Sequence, residues 1–124
     1  MRIKKICKLC IGIGMLAIMV LLMNLGRTGI VLHMSLGVVL FILLVLHNIL
    51  NLLWWAGIGK GTYSRTRWGR TVLNVLLLFD FLIVMISGIM YAADLHRATA
   101  ILFLILTILH ILAHGKKASV KHRN

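Results

Sequence analysis

Six histidines occur in this chain of 124 residues, at positions 33, 47, 96, 110, 114 and 122, and four of them share a spacing. His33 and His47 stand fourteen residues apart, as do His96 and His110, and each of the four follows a Leu. Fourteen residues advance an α-helix by four turns less ~40°, so both imidazoles of a pair face nearly the same way, ~21 Å apart along the axis. If the two His-bearing helices run parallel, His33 meets His96 near one end and His47 meets His110 nearer the other. Paired imidazoles at two depths would suit two stacked b-type haems, each iron held above and below its plane.

Other residues fit that chemistry. A ligating ring must donate its second N–H, and the carbonyl four residues back (Gly29, Leu43, Ala92 and Leu106) is the expected acceptor. Gly37 and Ala100, each four residues after a histidine, would let a macrocycle approach the backbone. Arg27 and Arg97 are candidate partners for one set of haem propionates, and Asn51 and His114 for the other. Six-coordinate iron has no open position, so the expected work is electron transfer, and no catalytic residue is assigned. A plainer reading makes the histidines hydrogen-bond partners between helices. A third uses His110 and His114, one helical turn apart, with Asp80 to carry zinc or copper; the sequence has no Glu to complete such a site.

The elements that must hold these residues are membrane spans. Hydrophobic residues make up 61% of the chain and charged residues 13%, against about 45–50% and 25% in soluble domains. There is no Pro. This excludes an ordinary cytosolic enzyme, a disordered tail and a small secreted domain. Apolar stretches at about 9–26, 30–55, 71–93 and 94–114 predict an all-α membrane protein, a single four-helix bundle; the last must begin near Asp94 or Leu95 to reach across.

The formal charge of +12 does not point to nucleic acid, because the basic residues lie between apolar stretches and form no continuous face. Twelve of the 14 Lys and Arg fall at the N-terminus, in the loop after the second span and at the C-terminus, leaving Arg27 and Arg97 in the other turns. The positive-inside rule then puts both termini in the cytoplasm. Trp54, Trp55, Tyr63 and Trp68 flank the basic loop as interfacial aromatics. The first span lacks a small-residue cleavage site and is read as uncleaved. Cys7 and Cys10 form a C-x-x-C with no following His, so it is not a covalent haem-attachment motif; two small residues in a first turn is the preferred reading. Asp80, the one acid inside a span, is expected to bond to Asn48, Asn74 or a ligand imidazole, with proton movement at a quinol site as the alternative. Thr28-Gly29-Ile30 and Ser87-Gly88-Ile89 precede the two His-bearing spans, which suggests one helix hairpin used twice.

With these segments the chain resembles the bacterial flavinylation-associated cytochrome family, from about Leu9 to Gly115. More distantly it is similar to the four-helix di-haem cores of respiratory cytochrome b and ferric reductase-like membrane proteins. The resemblance implies a b-type cytochrome of the bacterial cytoplasmic membrane with two haems b. It implies that His33, His47, His96 and His110 are the axial ligands. It also implies electrons drawn from membrane quinol and passed to an extracytosolic protein bearing covalent FMN. The chain departs in its first outer turn, only around Gly26–Gly29, where relatives often carry a longer linker. The contrasting expectation is a non-redox membrane accessory or assembly protein.

Overall fold

The computed structural model describes residues 2–121, with side chains except those of Leu25 and residues 116–121. His122 and Arg123, read as part of a solvated basic tail, lie outside the described residues. The described chain is helical throughout its regular structure. In order come α1 (Arg2–Leu22), α2 (Leu25–Leu50), the short α3 (Leu52–Ala56), α4 (Arg65–Ile89) and α5 (Ala93–Lys121). Four of these helices contain stretches long and apolar enough to cross a membrane: Arg2–Leu22, Gly26–Leu50, Arg65–Ile89 and Ala93–Gly115. The chain divides into two compact units, Met1–Lys60 and Gly61–Asn124.

In the first unit α1 and α2 form an antiparallel hairpin. Lys8 Nζ near the start of α1 donates to Asn51 Oδ1 just past α2 at 2.9 Å. α1 begins at Arg2 rather than near Leu9, because Lys and Arg are good helix formers whose heads can reach water beyond the apolar core. After the turn at Met23 and Asn24, α2 makes a single helical turn and breaks at Gly29, with φ 76° and ψ 165°. Only glycine adopts that conformation at little cost. The regular helix therefore runs from Ile30, where the second span was expected to start. At the far end the expectation of one helix to Trp55 is corrected. Asn51 leaves the helical region at φ −112°, ψ 17°, and its Nδ2 donates to the His47 carbonyl at 2.7 Å. An amide that takes over a helix carbonyl competes with continuation of the ladder, so Leu52–Ala56 forms a separate short helix. Trp55 Nε1 then donates to Asn48 Oδ1 at 2.9 Å.

The second unit is a hairpin of α4 and α5. Ser64, in extended conformation, caps α4 by accepting from the Arg67 amide at 3.3 Å, so the helix starts six residues before the expected boundary. The Arg67 guanidinium lies 4.1 Å from the centre of the Tyr63 ring. α4 ends in a Schellman arrangement: the Ala92 amide donates to Ser87 O at 2.9 Å and the Tyr91 amide to Gly88 O at 3.2 Å. Tyr91, at φ 55°, holds the left-handed position that glycine usually fills. This early stop lets α5 begin at Ala93, with Asp94 in its first turn where a carboxylate favours the helix dipole. Phe81 and Phe103 are buried against each other, ring centres 5.4 Å apart.

Most large apolar side chains point outward; Val31, Leu53 and Ile89 are 77%, 92% and 73% exposed. An apolar surface of that extent is unsuited to water and suited to lipid. The similarity of Thr28-Gly29-Ile30 to Ser87-Gly88-Ile89 does not extend to conformation. Gly29 breaks its helix, whereas Gly88 lies inside α4.

Candidate functional site

All four spaced histidines are half-buried, and His114 is exposed. His33 and His47 lie on the regular part of α2, and His96 and His110 on α5, so each pair keeps its near-common face and a separation of about 21 Å.

The α5 pair has clearly defined partners. His96 Nδ1 lies 2.8 Å from Val84 O and 3.4 Å from Ser87 Oγ. A carbonyl can only accept, so Nδ1 carries a proton and donates. His110 Nδ1 lies 2.7 Å from Asn74 Oδ1, which likewise accepts. These acceptors correct the expectation that Ala92 O and Leu106 O would serve. Both rings turn to α4 instead. Space for this is provided by Gly88: a Cβ there would stand 3.1 Å from the His96 ring. His114 does use the carbonyl four residues back, its Nδ1 donating to His110 O at 3.1 Å, and its ring centre is 4.4 Å from that of His110.

The remaining candidates are placed as follows. A Cβ on Gly37 would meet nothing within 4 Å, so the described packing leaves open space beside α2 one turn after His33. Ala100 is half-buried on α5, and Arg27 and Arg97 are exposed. Asn51 has its oxygen engaged by Lys8 and its nitrogen by His47 O, and so ties the end of α2 to α1.

Asp80 is buried at 5% exposure, and its Oδ2 has no hydrogen-bond partner among the described residues. Within its own unit, the expected bond from Asp80 to Asn74 is not formed. Asn48 spends its amide on Leu44 O and Trp55, and Asn74 accepts from His110. Cys7 and Cys10 are exposed free thiols on α1. Among the described residues no three His, Cys, Asp or Glu side chains gather as metal ligands, which removes support from the carrier built on His110, His114 and Asp80. A bis-imidazole haem needs only two protein ligands per iron.

Sequence reasoning missed Val84 O and Asn74 as the partners of the α5 rings. The available signal was Asn74 itself, an amide inside an apolar span that must find a partner in lipid. Comparisons with protein-family models, curated proteins and solved structures return no match to this chain.

Proposed function

We propose that the chain is a transmembrane electron carrier: its two hairpins associate into one four-helix bundle that holds two b-type haems. His33 and His96 would ligate the outer haem, and His47 and His110 the inner one. When bound there, haem would supply reversible one-electron chemistry between ferric and ferrous iron. The observation that carries this reading is the state of the α5 rings. Val84 O and Asn74 Oδ1 each accept from a ring Nδ1–H, and a ring oriented by such an outer hydrogen bond is what a haem ligand requires.

The chain's own groups do the rest. Apolar helices exclude water and ions, Gly37 and Ala100 leave room beside two of the ligands, and Arg27 and Arg97 offer charge to propionates at the outer end. The distribution of Lys and Arg supports a cytoplasmic N-terminus and C-terminus in a bacterial plasma membrane. The resemblance to flavinylation-associated cytochromes supports membrane quinol as donor and an extracytosolic FMN-bearing protein as acceptor.

Purified protein should show b-type bands in a reduced-minus-oxidised spectrum, with two haems per chain. A second reading is favoured by one observation: the bonds of His96 and His110 join α4 to α5, as purely structural histidines would. That non-redox accessory protein would be colourless and would tolerate His→Gln at all four positions.

A further inference from the structure

The two α5 imidazoles differ in what holds them. His96 gives its proton to a main-chain oxygen, Val84 O, which any residue at that position would provide. His110 gives its proton to a side chain, Asn74 Oδ1, at 2.7 Å. On its own helix the ring of His110 is flanked by that of His114, tilted by 36° with centres 4.4 Å apart. From this geometry we infer that Asn74 is a positioning residue for the inner haem. It fixes the plane and tautomer of His110 and sets how strongly Nε2 donates to iron. The inference rests on the di-haem reading and adds to it a means by which one haem is tuned without the other.

The chemistry is that of a ligand's outer hydrogen bond. An acceptor drawing on the Nδ1–H gives the ring partial imidazolate character, which makes Nε2 a stronger donor and favours ferric over ferrous iron. Removing the acceptor weakens that donation and favours the ferrous state. It also frees the ring to rotate and to move its proton to Nε2, the atom that should ligate. Substitution at Val84 leaves the nearer acceptor of His96 in place, the Ser87 hydroxyl standing farther off at 3.4 Å.

The test uses the full chain in detergent or nanodiscs, as wild type, Asn74→Leu and Asn74→Asp, with a spectroelectrochemical titration that resolves two midpoints. Asn74→Leu should raise one midpoint and leave the other where it was. Asn74→Asp keeps an oxygen acceptor and should hold that midpoint at or below the wild-type value. Should Asn74→Leu lose one haem, Asn74→Asp must keep it. A readout independent of bound haem is the two-bond ¹⁵N spectrum of labelled histidine in haem-free protein. There His110 should be the Nδ1–H tautomer in wild type and Asn74→Asp, and should leave it in Asn74→Leu. Two haems with both midpoints unmoved in Asn74→Leu would overturn the role of Asn74 and leave the di-haem reading standing. Equal loss of haem in both variants with an unchanged His110 tautomer would also overturn it. A wild-type preparation that binds no haem would remove the di-haem reading and this inference together.

Discussion

The two hairpins are nearly equal in length and alike in apolar character, yet they are held together differently. In the unit Met1–Lys60, Lys8, His47 O and Asn51 join α1 to the end of α2, and Asn48 meets Trp55. Its long middle is apolar, with Met19 and Leu40 buried. In the unit Gly61–Asn124 polar groups run through the middle: Asp80, Ser87 and Thr99 are buried, and His96 and His110 bond to α4 at two levels. Between helices in lipid there is little hydrophobic drive, so packing and hydrogen bonds hold the pair. In the second hairpin the polar bonds from α5 to α4 also orient chemically capable rings.

That contrast can be broken at its extremes first. Gly29 closes the entry to α2 in a conformation reserved for glycine, so Gly29→Ala should destabilise the first hairpin by about 1–3 kcal/mol in a denaturant titration in detergent. Gly88→Val should cost the second hairpin a similar ~1–3 kcal/mol by driving side-chain atoms into the His96 ring. Unlike Gly29→Ala it should also disturb the His96 ring signals. Asp80→Leu tests the polar interior with the opposite sign. Removing a buried carboxylate with an unpartnered oxygen should stabilise the second hairpin by about 1–3 kcal/mol, and no gain would mean that the carboxylate is satisfied in the native membrane. Tyr91→Gly should stabilise the same hairpin by roughly 1 kcal/mol, since the left-handed position suits glycine. The smallest effect belongs to Gly37→Ala. With nothing within 4 Å of the added Cβ, helix stability should rise by no more than about 1 kcal/mol, while haem content should fall if a macrocycle lies beside it.

The spans were legible because lipid leaves a backbone few choices. Ile30, the true start of the regular second span, and the need for the last span to start near Asp94 both follow from apolar length. That His33 and His47 lie near one face of α2, and His96 and His110 near one face of α5, was legible for the same reason, since helical periodicity alone sets which residues share a face. The stop at Asn51 was hidden because it depends on one amide reaching back to His47 O. Ser87-Gly88 was visible but read as punctuation before a repeat. Its use is tertiary, a gap on α4 into which His96 fits, and periodicity along one helix carries no information about a neighbour's surface. The same limit hid the choice of Val84 O and Asn74 over the carbonyls of α5. The end of α4 was misplaced because Tyr91 occupies a position where glycine would have signalled the stop.

The most direct experiment is to count haems in single His→Ala variants of the full chain, with low-temperature spectra to separate the two bands. His47→Ala and His110→Ala should each abolish the same band, and His33→Ala and His96→Ala should each abolish the other, leaving one haem per chain in every case. Four variants that keep the wild-type spectrum, or a wild-type protein without a Soret band, would contradict it.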